Sequence, residues 1–124
     1  MSFLFKDLRL IEEYLQILKI KDHVISSNIA NAETPFYKAL KLEISFNNDL
    51  PLKTTHFKHI SNKKKFFSYS VKEQKKGLYG ADKNNVNLEK EILTLEKVAL
   101  TYKTLLKFIQ GKFSSLDLAI KSGG

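Results

Sequence analysis

Residues 88–120 read LEKEILTLEKVALTYKTLLKFIQGKFSSLDLAI, and apolar side chains recur there at alternating spacings of four and three residues. This heptad spacing is typical of a helix with one narrow apolar stripe, because successive contacts along such a stripe lie 3.5 residues apart on average. The pattern predicts a long C-terminal helix. Its ten apolar positions, here called the C-terminal seam, are Leu88, Ile92, Leu95, Ala99, Tyr102, Leu106, Ile109, Phe113, Leu116 and Ile120.

Capping signals predict where this helix begins and ends. Asn87 precedes the first apolar position and is a favoured N-cap residue, and Glu89 and Glu91 complement the positive end of the helix dipole. Lys121 suits the last turn. Gly111 lies inside the helix, where glycine costs about 1 kcal/mol relative to alanine, so it marks either the close approach of a neighbour or a tolerated surface position.

The N-terminal residues repeat the heptad spacing. The N-terminal seam consists of Leu4, Leu8, Ile11, Leu15, Leu18 and Ile25, and Asp22 and Ile29 complete its spacing. Pro35 ends this helix, because the residue before a proline is pushed out of the α region. The two helices would be roughly 42 and 51 Å long, too long for a compact globule of this size. Each seam is therefore buried by the other helix, by other chains, or by both.

Composition narrows the class of protein. The chain has 124 residues, 43% of them hydrophobic and 27% charged, and the absence of Cys excludes disulfides, thiolate metal sites and cysteine nucleophiles. No apolar run approaches the ~18–20 residues of a membrane helix. The N-terminus lacks the basic start, apolar core and cleavage site of a Sec signal peptide, so we expect none. A single domain this small is marginally stable unless a partner contributes.

The net charge of +8 is concentrated in the middle of the chain, where residues 53–76 carry eight Lys against one Glu. A solvated, lysine-rich loop is the simplest interpretation. The alternative is a basic helical adaptor or nucleic-acid-binding hairpin that makes contact through residues 63–65, Lys-Lys-Lys. The chain has a single arginine, Arg9, which argues against nucleic acid because arginine is the usual reader of phosphates and guanine edges. Mixed Glu and Lys on the helix surfaces argue against a membrane-surface helix.

Between the two helices the heptad pattern is lost. Residues 41–46 alternate polar and apolar side chains, and residues 66–71 form a second β-prone, aromatic run. The predicted fold is mainly α: two long terminal helices form a coiled-coil-like hairpin, with a small, irregular β-rich insert between them. The predicted boundaries are residues 1–35, 36–83 and 84–124. The aromatic side chains of the insert would cover its own core or lie on the helices.

No motif points to catalysis or to a cofactor. His56 and His59 are three residues apart, but no acidic residue near them in sequence completes a metal site. Ser26 and Ser27 lie mid-helix, and there is neither a Gly-x-Ser-x-Gly motif nor a phosphate-binding glycine loop. We therefore expect a chain that is not an enzyme and that holds no metal ion or cofactor.

Two segments carry a resemblance to a known family. Residues 26–39, SSNIANAETPFYKA, resemble the signature of the bacterial flagellar rod, hook and hook-associated family, which reads approximately Ala/Ser-Asn-Ile-Ala-Asn-x-x-Thr-Pro-Gly-Tyr-Lys. Residues 84–91, NNVNLEKE, resemble the segment that opens the C-terminal helix in the proximal rod members. Tyr102, Lys112-Phe113 and Ala119-Ile120 match those members as well, and residues 52–56 do so weakly. The matching positions of the first segment, here called the assembly motif, are Asn28, Ile29, Ala30, Asn31, Thr34, Pro35, Tyr37 and Lys38.

Two glycines of the family pattern are replaced in this chain. Phe36 stands in place of the glycine after Thr-Pro, so we expect the turn to switch from type II to type I, or Phe36 to supply a contact. Lys83 stands in place of the glycine that commonly precedes Asn-Asn-Val, so that turn also loses its glycine.

The resemblance implies a structural subunit of the proximal rod of the flagellar basal body, in the periplasm. Members of the family polymerise helically, and their terminal helices, disordered in the free monomer, form the inner wall of a hollow shaft that transmits torque and lines the export channel. They are exported by the flagellar type III apparatus without a cleaved signal peptide. The implied partners are further copies, other proximal rod proteins, and the MS-ring/rod adaptor and export gate at the base, with no nucleic acid or small-molecule substrate. A secretion chaperone remains a third alternative.

The assembly motif also suggests specific residue roles. Asn28, Asn31 and Thr34 are expected to satisfy backbone groups where the N-terminal helix ends. We further expect residues 28–31, Asn-Ile-Ala-Asn, to form a tight junction of small residues against a neighbouring subunit.

Overall fold

The structure is a computed structural model that describes residues 2–47, 65–75 and 83–123, with side chains described from Lys6 onward. The element order is α1 (Ser2–Ala30), β1 (Leu40–Phe46), β2 (Phe67–Glu73) and α2 (Leu88–Ser122). The predicted fold class is confirmed, because two long helices flank a small antiparallel sheet of two strands.

The start of α2 follows the predicted capping. Asn87 has an extended backbone (φ −96°, ψ 98°), and its side-chain oxygen accepts the N–H of Lys90 at 3.2 Å. Glu89 and Glu91 lie in the first turn. At the other end the N–H of Gly123 donates to the Ala119 carbonyl at 3.0 Å, with Gly123 still in the right-handed region (φ −86°). The helix therefore ends without the left-handed glycine that commonly terminates helices.

The two helices pack against each other and form the core. Leu18, Ile25 and Val98 are buried together at its centre. The end of α1 adjoins the start of α2, and Leu18 of α1 lies near Val98 of α2, so the helices run antiparallel. Half-buried side chains surround this centre: Tyr14, Leu15, Ile29, Leu95, Tyr102 and Leu105.

The strands pair in one register, from Leu40 opposite Glu73 to Phe46 opposite Phe67. Because side chains alternate along a strand, the sheet has one apolar and one polar face. The apolar face carries Leu42, Ile44, Phe46, Phe67, Tyr69 and Val71, and the polar face carries Lys41, Glu43, Ser45, Ser68, Ser70 and Lys72. On the polar face, the Lys72 ammonium donates a hydrogen bond to Glu43 at 2.6 Å and holds the pKa of that carboxyl below its usual value.

The sheet is attached to the middle of α1. The Glu13 carboxylate accepts the N–H of Phe66 at 2.6 Å and that of Phe67 at 3.4 Å. The Phe67 ring lies 5.7 Å from the Tyr14 ring, and Phe66 is buried with the Arg9 guanidinium 5.2 Å from its ring centre. Phe66 and Phe67 of the insert therefore contact α1, in agreement with the expectation that aromatic side chains of the insert lie on the helices.

Candidate functional site

Four asparagines connect every element of the fold at one place. The asparagine junction, as we call it, consists of Asn28 and Asn31 at the end of α1 and Asn84 and Asn85 before the start of α2. Asn28, Asn84 and Asn85 are buried, and in the described residues no buried side-chain polar atom lacks a hydrogen bond. Burial of amides is tolerated because each is paired, since an unpaired one would cost about 1–3 kcal/mol.

Asn28 binds the start of β1. Its side chain is 1% exposed, donates to the Leu40 carbonyl at 2.9 Å and accepts the Leu40 N–H at 2.8 Å. The same oxygen accepts the Tyr37 hydroxyl at 3.1 Å. One amide thus occupies both backbone groups of Leu40, as a neighbouring strand would. This pairing fixes the position at which β1 leaves α1.

Asn85 performs the equivalent task at the end of the sheet. Its oxygen accepts the Ala39 N–H at 2.6 Å, and its amide nitrogen donates to the Gln74 carbonyl at 2.9 Å. Gln74 in turn donates its N–H to the Ala39 carbonyl at 2.7 Å. The Asn85 side chain therefore bridges the two facing residues that lie just before β1 and just after β2, and it connects the sheet to the start of α2.

Asn31 and Asn84 close the turn that follows α1. Asn31 donates its side-chain amide to the Ser27 carbonyl at 2.8 Å, which satisfies a carbonyl at the helix end. Asn84 donates to the carbonyls of Asn31 and Thr34, both at 2.8 Å, and accepts the Val86 N–H at 2.8 Å. The expectation of a bond to a backbone group at the helix end is confirmed for Asn31. It was wrong for Thr34, whose hydroxyl donates to the Asn31 side-chain oxygen at 3.1 Å because that oxygen lies within its reach in the turn.

The backbone at Phe36 contradicts the expected change of turn type. Phe36 has φ 60° and Lys83 has φ 59°, and they are the two non-glycine residues with positive φ in the described part of the chain. Both therefore keep the conformation that glycine adopts most easily. The physical reason lies in the next residue, because the Tyr37 hydroxyl must reach Asn28 at 3.1 Å and Ser27 at 3.3 Å.

The alternative expectation, that Phe36 supplies a contact, agrees with the geometry. The Lys83 ammonium lies 5.9 Å from the centre of the Phe36 ring, within the range of a cation–π interaction. The Phe36 side chain is nevertheless 70% exposed. The two residues that replace family glycines thus contact each other across the asparagine junction.

The assembly motif is only partly available to a neighbour. The contact of residues 28–31 with a neighbouring subunit stays a prediction, but the Asn28 side chain is buried against its own chain. The reason is that an amide at this position has Leu40 as a partner within the chain. Ile29, Asn31 and Tyr37 are half-buried. The exposed members are Ala30, Thr34, Pro35 and Lys38.

The N-terminal seam lies on the helix–helix core. Leu18 and Ile25 are buried, and Leu8, Ile11 and Leu15 are half-buried. The side chain of Leu4 lies outside the described residues.

The C-terminal seam is divided between two faces of α2. Leu95 and Tyr102 pack on the core, whereas Val98 and Leu105, which are not seam positions, occupy the core next to them. Ile109 and Leu116 are half-buried. The remaining seam residues are exposed: Leu88, Ile92, Ala99, Leu106, Phe113 and Ile120. The periodicity located the apolar helix, but it did not reveal which of two adjacent apolar faces packs on α1.

Exposed apolar side chains follow α2 along its length. Together they form what we call the outer face of α2: Leu88, Ile92, Leu93, Leu100, Leu106, Phe108, Phe113, Leu118 and Ile120. Beside it an open groove of about 350 Å³ runs between the helices, lined by Leu18, Val98 and Tyr102. At 3.6 residues per turn these side chains are distributed over more than half of the helix circumference, and exposed apolar surface of this extent is typical of a surface that contacts other proteins.

The other candidate residues lie apart from the junction or outside the described residues. Lys63, Lys64, His56 and His59 fall outside, while Lys65 is exposed beside β2. Among the residues that the structure covers, no group of three His, Asp or Glu could hold a metal ion. Within the same ranges no helix is long and apolar enough to cross a membrane.

Sequence reasoning missed the roles of Glu13, Asn84 and Asn85. Glu13 has no local signal for this role, because the two backbone N–H groups that it accepts lie more than fifty residues away. The sequence points to Asn84 and Asn85 only through the family resemblance of residues 84–91. Their signal was the pair of amides before an N-cap residue, since polar side chains there can bond backbone groups that have no other partner.

These features define a class of protein: a long helical hairpin with a small sheet and an apolar outer face left for contacts. No protein-family model matches the chain. The chain is 40% identical over 119 residues, 95% of each chain, to the flagellar basal body rod protein FlgB of Aquifex aeolicus. It is 32% identical to that of Bacillus subtilis over 99% of each chain, and 30% identical to that of Borreliella burgdorferi over 87% of this chain and 90% of the relative. The chain belongs to the FlgB family of flagellar basal body rod proteins.

Proposed function

We propose that this chain is a structural subunit of the proximal rod of the flagellar basal body. It polymerises into the axial drive shaft, transmits torque and forms part of the wall of the export channel. The observation that carries this proposal is the near full-length similarity to rod proteins, 40% identity over 95% of both chains in the case of Aquifex aeolicus.

The outer face of α2 gives the proposal a physical basis. Leu100 and Leu118 are more than two-thirds exposed in the single chain. Each such side chain would contribute about 1.5–3 kcal/mol if a neighbouring subunit buried it. The polymer therefore gains stability that the monomer lacks, and the contacts repeat along the helix without closing into a ring.

The proposed partners follow the same assignment. They are further copies of the chain, other proximal rod proteins, and the MS-ring/rod adaptor and export gate at the base. The chain reaches the rod through the flagellar type III export apparatus, without a cleaved signal peptide. Support for these partners comes from the resemblance of residues 26–39 and 84–91 to the family and from family membership.

Peptide mass spectrometry of detergent-extracted basal bodies, beside the cytosolic fraction of the same cells, tests the proposal. We expect the chain to be enriched with ring and rod proteins, and its N-terminal peptide to be uncleaved. A purely cytosolic signal in cells that carry basal bodies would reject the rod assignment and would favour a chaperone or a nucleic-acid-binding role.

A further inference from the structure

Each strand of the two-stranded sheet has one outer edge. Asn47 donates its N–H to the Phe66 carbonyl, and Gln74 donates its N–H to the Ala39 carbonyl. Both pairs continue the register of the two strands, so the odd-numbered residues of β1 bond the even-numbered residues of β2. In an antiparallel pair the intervening residues direct their N–H and C=O outward. The outward-facing residues are therefore the even-numbered ones of β1 and the odd-numbered ones of β2.

Helix α1 occupies one end of each edge. Asn28 takes both backbone groups of Leu40 on the β1 edge, and Glu13 accepts the Phe67 N–H on the β2 edge. Helix α1 thus passes diagonally from one edge to the other. In the described residues the other outward-facing backbone groups have no partner. They belong to Leu42, Ile44 and Phe46 of β1 and to Tyr69, Val71 and Glu73 of β2.

The two free edges are equal in length and complementary in chemistry. Antiparallel pairing of Ile44 with Val71 and of Phe46 with Tyr69 would use all free groups and join two apolar faces. Ile44 is 41% exposed and Tyr69 is 52% exposed in the single chain, so both have surface left to bury. In this register Glu43 lies directly opposite Lys72, so opposite charges meet on the polar face.

We propose that β1 of one copy pairs with β2 of the next copy in this register, so that the sheets of successive copies join edge to edge. Each copy offers its β1 edge to one neighbour and its β2 edge to another, which is a head-to-tail contact that does not close on itself. Such pairing removes exposed strand edges that otherwise invite aggregation. The inference rests on the proposed function in one respect, because the choice of a second copy as the partner assumes that the chain polymerises.

Disulfide trapping tests the register, because the natural chain has no Cys. Glu43→Cys and Lys72→Cys are purified separately, mixed and oxidised. Residues 43 and 72 would form a non-hydrogen-bonded pair, whose Cα atoms are close enough for a disulfide. We expect a mixed dimer that neither variant forms alone. The matched control is Glu43→Cys mixed with Ser70→Cys, which reports a register shifted by two residues and should give little product.

A second variant separates the edge contact from misfolding. Ile44→Pro removes an N–H that points outward, so it leaves the bonds between β1 and β2 of the same chain in place. In the Glu43→Cys background it should abolish the mixed dimer while circular dichroism stays unchanged. Failure of the mixed dimer to form, an equal yield with Ser70→Cys, or persistence of the dimer with Ile44→Pro would each overturn the proposal.

The outcome is distinguishable from failure of the rod assignment. Wild-type chain that is enriched in basal bodies but gives no mixed dimer would reject only the sheet contact. Wild-type chain that is absent from basal bodies would reject the rod assignment, whatever the cross-linking shows.

Discussion

At the scale of single residues, side-chain amides replace backbone partners in this fold. Asn28 bonds both backbone groups of Leu40, and Asn85 bridges Ala39 and Gln74. Such a side chain takes the place of a neighbouring strand, and it fixes the direction in which the paired strand leaves the helix. The exposed ring of Phe36 and the Lys83 ammonium accompany a turn that carries backbone strain on both residues.

Removal of the Asn28 amide should destabilise the fold strongly. Asn28→Ala leaves the Leu40 N–H and C=O and the Tyr37 hydroxyl without this partner, and we expect a loss of about 2–4 kcal/mol in the free energy of unfolding. Urea denaturation measures it. The control is Asn47→Ala, because Asn47 is exposed and should cost less than about 1 kcal/mol. Equal losses for the two variants would contradict the role assigned to Asn28.

Substitution of Phe36 should reverse the usual order of alanine and glycine. Because Phe36 has positive φ, Phe36→Gly should be about 1 kcal/mol more stable than Phe36→Ala, although glycine normally costs stability through its unfolded-state freedom. Thermal unfolding of the two variants measures the difference. An alanine variant as stable as the glycine variant would show that the backbone at Phe36 is not strained.

At the scale of elements, α2 presents two apolar faces with different tasks. One face, centred on Val98, packs against α1, and the other is the outer face of α2 that remains exposed in the single chain. The heptad spacing in the sequence runs between the two. Because α2 is apolar beyond the face that α1 covers, one hairpin partner cannot bury all of its apolar surface.

Two substitutions on α2 should separate folding from assembly. Val98→Ala removes buried methyl groups and should cost about 2 kcal/mol in chemical denaturation of the monomer. Leu100→Ala changes a residue that is 68% exposed and should stay within about 0.5 kcal/mol of wild type. We expect Leu100→Ala to reduce swimming in a complementation assay nonetheless. A wild-type swimming rate with that variant would show that this part of the outer face makes no contact in the rod.

Substitution of Gly111 tests whether this residue is a tolerated surface glycine or a point where a neighbouring subunit approaches closely. A Cβ atom at this position meets nothing within 4 Å in the single chain, so Gly111→Ala should stabilise α2 by about 1 kcal/mol. Thermal unfolding measures this gain, and the same variant is then tested for swimming. Loss of swimming despite the gain in stability would indicate that a neighbouring subunit approaches Gly111 closely, whereas normal swimming would indicate a tolerated surface glycine.

At the scale of the whole molecule, the helical hairpin and the sheet are held together at two places. The asparagine junction joins α1, both strands and α2, and Glu13 joins the middle of α1 to β2. This arrangement leaves the outer face of α2 and the two sheet edges directed away from the core. These are the surfaces that we propose for contacts with other chains.

Ala30 tests the contact of the assembly motif with a neighbour. It is exposed at the last position of α1, and leucine has nearly the helix propensity of alanine, so Ala30→Leu should fold normally. We expect it to abolish rod assembly while export continues, as seen by electron microscopy of basal bodies and by immunoblot of the secreted fraction. Glu12→Leu, exposed elsewhere on α1, is the control. Normal basal bodies with Ala30→Leu would disprove the tight contact.

The amino-acid sequence by itself determined the helices, their approximate bounds, the N-cap at Asn87 and the two strands, because these depend on local periodicity and on neighbouring residues. Only the tertiary structure decided which face of α2 packs on α1, because apolar side chains lie on several sides of that helix. It also decided that Asn28 bonds Leu40, that Asn85 bonds Ala39, and that Phe36 keeps a positive φ. Each of these depends on a partner brought close by the fold, and spacing along one chain carries no information about such partners.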